Sequence, residues 1–292
     1  MRFEQLLTEL EQITGQSLQN SRIKSVAGGD INSAYHIEND TVSWFIKTNR
    51  PSLADMFEAE AAGLKELGSL NALRIPEVIT TGQTPQCSYL VLEHIPLQRL
   101  NSQSAALMGE QLAALHSHQQ AFFGWHTDNT IGSTPQINTR NHDWTDFWKN
   151  QRLLAQLQFA QNNGFNGHLQ NKGEKLAEKL DAFFSNYNPY PSLLHGDLWG
   201  GNAASDGNGN PVIYDPACYY GDREADIAMT ELFGGFGNDF YQAYQHHLPL
   251  DDGYKTRKTL YNLYHILNHL NLFGGGYQHQ AEAMIDSLLS QC

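Results

Sequence analysis

The chain has 292 residues, 40% of them apolar and 17% charged, with 14 Phe, 13 Tyr and 5 Trp; that is enough apolar surface for a true core and argues against disorder. Lys and Arg number 18 against 31 Asp and Glu, a net charge of −13, which repels phosphate backbones and anionic membranes, so neither a nucleic-acid nor a membrane partner is expected. The plain reading of that charge is solubility; the sharper one is a preference for cationic substrates.

At roughly 150 residues per domain, the length fits one large or two modest domains. Cys87, Cys218 and Cys292 are odd in number and lack metal-site spacing, so a reducing, cytoplasmic setting is expected. No run of about 18 apolar residues suggests a membrane span. The first residues, MRFEQLLTELEQIT, lack a basic leader and long apolar run, so no signal peptide is expected.

That opening stretch reads instead as an amphipathic helix with Leu6, Leu10 and Ile13 on one face. Residues 21–93 read mostly as strands. RIKSVAGGDINSAYHI carries a glycine pair and then an extended run, and TVSWFIK is β-branched and aromatic. FEAEAAGLKELGSL, 57–70, is the one clear helix here, with Leu64 and Leu67 on a face and Gly68 near its end. RIPEVITTGQTPQCSYLVLE reads as two strands around a turn. The short connection HIPLQRL, 94–100, marks the boundary between a β-rich part, 1–95, and the rest, 96–292.

From about residue 100 the period is helical. QSAALMGEQLAALHSH places Met108, Leu112 and Leu115 on one stripe. Residues 120–142 form a long polar irregular segment, of the kind that is often functional or mobile. One or two helices follow over 143–184, interrupted near Asn162-Asn163-Gly164. TLYNLYHILNHLNLF places Leu260, Leu263, Tyr264, Leu267 and Leu270 on one face and stops at Gly274-Gly275-Gly276. Its other side carries Asn262, His265, Asn268 and His269; uncharged amides and imidazoles there suit hydroxyl recognition or buried packing.

The stretch HGDLWGGN, 195–202, is too glycine-rich for a regular element. It can aim the Asp197 carboxylate at a hydroxyl, while Asn202 offers an amide oxygen of the type that ligates Mg²⁺. A short strand, PVIY, then delivers Asp215, 18 residues after Asp197. One acid to take a proton, with an acid and an amide to hold a metal, is the equipment of phosphoryl transfer. Upstream, Lys47 ends a strand and Glu60 can pair with it. The glycine turn, with Gly28, Gly29 and Asn32, can place backbone N–H groups over phosphates.

This order resembles protein-kinase-like folds, with HGD where protein kinases have HRD. It is closest to aminoglycoside phosphotransferase-like kinases and, within them, to the fructosamine kinase (ketosamine 3-kinase) family. GGDINSAY, FIKTN, LLHGDLWGGN, YDPACYYGDREADIAMTELFGGF and LYHILNHLNLFGGGY carry the likeness over about 28–277. The resemblance implies an α+β, two-lobed fold with a small β-rich N-lobe and a larger, mainly helical C-lobe, the nucleotide lying between them. It implies ATP and Mg²⁺ as cofactors and transfer of the γ-phosphoryl to the 3-hydroxyl of a ketosamine, free or protein-bound, which leads to deglycation. Asp197 would be the base, Asn202 and Asp215 the metal ligands, and Lys47 the phosphate lysine with Glu60 as its partner. Glu93, His94 and Ile95 would be the hinge beside adenine.

His195 is expected to brace the loop rather than act as base, and Asp226 to brace it from GDREADIAM. Trp199 reads equally as core or as a wall against the sugar or its amine. Arg223 and Glu224 are an ion pair or substrate contacts, and His265 and Asn268 are substrate-wall candidates. QINTRNHDW, 136–144, is a candidate rim. The glycine loop lacks a full G-x-G-x-x-G, Pro-Ala follows Asp215 where Phe-Gly follows in protein kinases, and no A-P-E segment appears, all of which argue against a protein kinase. The alternatives are another small-molecule kinase, acting on an aminoglycoside or choline, and a non-catalytic nucleotide-binding protein.

Overall fold

A computed structural model describes residues 2–26 and 31–292. Helix α1 (Arg2–Thr14) leads into strands β1 (Arg22–Val26), β2 (Ser33–Glu38) and β3 (Ser43–Asn49), then α2 (Ala54–Ser69), β4 (Val78–Gln83) and β5 (Ser88–Glu93). The five strands form one antiparallel sheet in the order β1-β2-β3-β5-β4. Its two faces follow from strand alternation. Trp44, Ile46, Tyr89 and Val91 point one way and bury Leu6 and Leu10 of α1. Leu90 and Leu92 point the other way and bury Phe57, Ala61 and Leu64 of α2. Ile13 does not join that face; it is exposed near the end of α1.

The larger part begins with α3 (Ser102–His116), whose Met108, Leu112 and Leu115 are buried. The segment expected to be irregular contains a small hairpin, β6 (Asn129–Ile131) and β7 (Thr134–Gln136). Helices α4 (Trp144–Trp148) and α5 (Leu154–Asn162) are joined through a π-turn at Lys149–Leu153, and α6 (His168–Glu178) follows the break near Gly164. Strands β8 (Ser192–Leu194), β9 (Ala203–Ser205), β10 (Pro211–Ile213) and β11 (Tyr219–Gly221) pair as β8 with β11 and β9 with β10. Helices α7 (Glu224–Leu232), α8 (Asn238–His247), α9 (Tyr254–Phe273) and α10 (Gln278–Leu289) complete the chain. α8 packs along α3, and α9 packs against α5, α7 and α10. That central position explains why α9 is buried on its polar side too, at Asn262, His265 and Asn268 as well as at Leu263 and Leu267.

The architecture is α+β, with a small sheet-bearing lobe above a larger, mainly helical one. No helix among the described residues is long and apolar enough to cross a membrane.

Candidate active site

Residues 195–202 join β8 to β9, and Asp215 follows β10, so two short hairpin-like pairings present the loop and the second acid side by side. The glycines allow tight packing. Gly196 has φ 80°, and a Cβ there would lie 2.1 Å from the Ala217 carbonyl oxygen. A Cβ on Gly201 would lie 2.2 Å from the Trp199 ring. The loop is therefore folded onto itself and onto the segment after Asp215.

Asp226 holds that loop from below. Its carboxylate accepts from the backbone N–H of His195 at 2.7 Å and of Gly196 at 2.8 Å, and lies 3.2 Å from His116 Nε2. Burial alone would raise its pKa, but the His116 hydrogen bond and these donors outweigh it and hold it below the usual carboxylate range. His195 Nε2 lies 2.9 Å from the Tyr214 carbonyl, and Nδ1 lies 3.2 Å from the Asp197 N–H. A carbonyl only accepts and an amide N–H only donates, so the ring is the neutral Nε2–H tautomer with both nitrogens engaged. Burial also lowers its pKa. This geometry makes His195 a brace. Asp226→Asn, which has one acceptor oxygen fewer, should cost about 1–3 kcal/mol of stability in urea unfolding; an unchanged midpoint would remove Asp226 from this role.

Asn202 Nδ2 donates to the Asp197 carbonyl at 2.9 Å and contacts its Oδ2 at 3.2 Å. With its amide nitrogen so directed, Asn202 keeps Oδ1 for the cavity. Asp215 has φ 57°, a left-handed conformation that aspartate tolerates better than most residues. Lys47 lies on the α2-facing side of β3, and its Nζ bridges Glu60 at 2.6 Å and Asp215 at 2.5 Å. The pair Lys47–Glu60 is the one expected; the link from Lys47 to Asp215 spans 168 residues and has no sequence signal.

Burial, then the charge of Asp215, pushes Asp197 up to about 7, against the opposing hydrogen bond from Asn202. Burial would lower the Lys47 ammonium, but Asp215 and Glu60 outweigh it and hold it above its ordinary value. Burial raises Glu60 despite its lysine partner.

These groups share a cavity of about 640 Å³ whose wall also includes Asn32, Trp199, His265 and Asn268. Burial and then His269 push His265 down to about 3, so it meets the cavity as a neutral ring. The carboxylate of Asp215 and the amide oxygen of Asn202 are hard oxygen donors and fit a small hard dication such as Mg²⁺.

Gly28 and Gly29 lie outside the described residues. Glu93, His94 and Ile95 do not line the cavity; the Glu93 carboxylate pairs with Arg74, and His94 stacks on His36 with ring centroids 3.6 Å apart. Arg223 and Glu224 do not line the cavity, and each takes a partner other than its neighbour. Arg223 donates to the carbonyls of Leu248 at 3.0 Å and Pro249 at 2.5 Å, while buried Glu224 accepts from Arg257 at 2.7 and 3.0 Å. Glu224 opens α7 facing α9, which turns both residues toward the interior rather than the cavity. None of 136–144 forms a rim on the cavity.

Part of that stretch does something else. Gln136 Nε2 donates to the Ala217 carbonyl at 3.0 Å and Asn129 Nδ2 to the Cys218 carbonyl at 2.8 Å. Asn138 Nδ2 donates to Asn129 Oδ1 at 3.0 Å, and the buried Arg152 holds Asn138 Oδ1 at 2.8 Å. A buried amide chain thus fixes the backbone just after Asp215. Only its polarity is visible in the sequence.

The model of the fructosamine kinase family matches residues 2–291. A probable ketoamine kinase of Synechocystis sp. is 45% identical over 98% of this chain and 97% of its own length. The chloroplastic protein-ribulosamine 3-kinase of Arabidopsis thaliana is 44% identical over 98% of this chain and 86% of its own. A solved structure from Haemophilus somnus 129PT, assigned provisionally as a fructosamine-3-kinase, superposes with TM-score 0.87 at 30% identity, covering 97% of this chain and 96% of that one. A thermostable mutant of aminoglycoside phosphotransferase APH(4)-Ia shares the fold, with TM-score 0.63 at 15% identity over 97% of this chain and 98% of that one.

Proposed function

The chain belongs to the fructosamine kinase family, and from that premise we propose that it transfers the γ-phosphoryl of ATP to the 3-hydroxyl of a ketosamine. The reading rests on one observation: Lys47, Asp197, Asn202 and Asp215 converge on a single cavity. A carboxylate whose pKa lies near the working pH is suited to accept a proton, and such help is typically worth about 10²- to 10⁴-fold. An amide hydrogen bond orients Asp197, and His195 and Asp226 hold the loop that carries it.

In the proposed step the substrate 3-hydroxyl oxygen bonds to the γ-phosphorus as its proton passes to Asp197. The bond from γ-phosphorus to the bridging oxygen breaks, and ADP leaves. Mg²⁺ on Asn202 and Asp215 would offset charge on the phosphoryl oxygens. Lys47 binds phosphate oxygens in exchange for part of its present contact with Asp215. Residues 1–95 serve as the nucleotide lobe and 96–292 as the substrate lobe. The intact set of four residues supports a catalyst over a scaffold.

The test is mass spectrometry of glycated lysine incubated with the protein and Mg·ATP. A gain of one phosphoryl group, followed by free amine, is expected. Absence of both, in a preparation shown to bind ATP, would discard the reading in favour of another alcohol acceptor such as an aminoglycoside.

A further inference from the structure

Trp199, Phe233, His269, Phe273 and Tyr277 all line the cavity and form one connected set of rings. Trp199 meets Phe233 at 6.4 Å and 79°, and Phe233 meets His269 at 5.0 Å and 49°. His269 then meets Phe273 at 5.4 Å and Tyr277 at 5.2 Å, at 53° and 54°. Rings inclined in this way present faces in several directions, as the walls of a corner do. Trp199, Phe233 and Phe273 are 41%, 45% and 56% exposed, and they account for half of the large apolar residues exposed among the described residues. They come from three separate segments: the catalytic loop, the end of α7 and the end of α9. Exposed apolar surface gathered from separate segments onto one cavity marks a binding surface.

The charges around this cavity narrow its ligand. Its lining carboxylates are Glu60, Asp197 and Asp215. Glu60 and Asp215 are held by Lys47, and Asp197 is the proposed base. Among the described residues no further acid lines the cavity to pair with an ammonium. An amine entering here meets aromatic faces, which attract cations through the ring quadrupole and also pack alkyl chains.

Resting on the reading above, we infer that this aromatic corner binds the amine-bearing tail of the ketosamine. Its ligand is a single flexible alkylammonium, as a glycated lysine side chain supplies. Because most of the attraction comes from ring faces rather than carboxylates, a polycationic amino sugar gains little from it and loses much of its hydration on entering. Trp199 lies two residues from the base and forms the inner wall; Phe233 and Phe273 carry the outer part.

The measurement is the ratio of kcat/KM for Nα-acetyl-Nε-fructosyl-lysine amide, whose Nε is its single amine, to that for N-methylfructosamine, which carries the same ammonium but a tail too short to reach the outer rings. A glycated lysine peptide forms a third arm. The double variant Phe233→Ala, Phe273→Ala should lower the lysine-to-methyl ratio about 10-fold, and Phe233→Leu, Phe273→Leu should recover part of it, because leucine packs the alkyl tail but covers less of it than a ring. Ile13→Ala, an exposed apolar truncation on α1 outside the cavity, should leave the ratio at the wild-type value. A fall confined to the peptide arm would reassign the corner to the polypeptide around the lysine and overturn the inference. So would an equal loss on all three substrates, or no change, in variants that bind ATP normally. Those outcomes leave the ketosamine reading standing, whereas failure of the wild-type protein to phosphorylate any of the three removes both.

Discussion

Asp197→Asn is expected to fold, bind ATP and turn over at least about 10²-fold more slowly than the wild-type protein. The amide keeps the size of the carboxylate and can still accept from Asn202 Nδ2, 3.2 Å away, but it cannot take the hydroxyl proton. The same substitution should reveal the cost of holding this carboxylate in place. The folded protein keeps the Asp197 proton until about pH 7, whereas the free side chain releases it near its ordinary value of 3.8. Between those values the native state holds a proton that the unfolded state has released, so wild-type stability falls as pH rises through that window. The substituted amide does not titrate. In metal-free, nucleotide-free protein the melting temperature of the variant should gain on that of wild type from about pH 4 to pH 7, then hold its lead. A bound dication favours the charged carboxylate, so with Mg·ATP the acid limb of kcat/KM should lie below about pH 7. Wild-type kcat in Asp197→Asn would show that another group takes the proton.

The parts of this site that are legible in the sequence are those in which chemistry and spacing sit together. HGDLWGGN places Asp197 and Asn202 within one loop, and the strand ending at Asp215 is short and punctuated by turns, so three of the four central residues can be read from 21 consecutive positions. The alternation that sets Lys47 opposite Glu60 is also local to a strand and the next helix. What stays hidden depends on contacts between distant segments. Nothing near Lys47 signals that Asp215 will reach it. Gln136 and Asn138 look like a polar rim because polarity does not say whether an amide faces water or a backbone carbonyl; here they hold Ala217 and Asn129. Arg223 and Glu224 look like a pair by adjacency, but neighbours at the start of a helix point in different directions, and Glu224 finds Arg257 on α9. Helix α8 carries no clear signal: it buries only Phe240 and Tyr244, too few for a periodic pattern. Ile13 fits the helical period of α1, yet the sheet face ends before it and leaves it in solvent.

Asp215→Asn should be the second severe loss, and for a different reason. Asp215 pairs with Lys47 at 2.5 Å and, under the proposed reading, would also ligate the metal that its carboxylate and the Asn202 oxygen are suited to hold. Neutralising it weakens both. Lys47 retains Glu60 at 2.6 Å, so the fold of the upper lobe should survive and ATP should still bind. The affinity for ATP should instead lose most of its dependence on Mg²⁺, which calorimetric titration with and without the metal would read directly. Turnover should fall by about 10²- to 10³-fold, the usual effect of removing one preorganised electrostatic group from a reacting centre. A second consequence separates this variant from a merely damaged one. The charge of Asp215 is the largest contribution after burial to the raised pKa of Asp197. Without it the Asp197 proton leaves more readily, so in metal-free protein the pH window over which stability declines should close at a lower value than in wild type. Unchanged Mg²⁺ dependence together with an unmoved window would place Asp215 outside the metal site and leave Lys47 as its only partner.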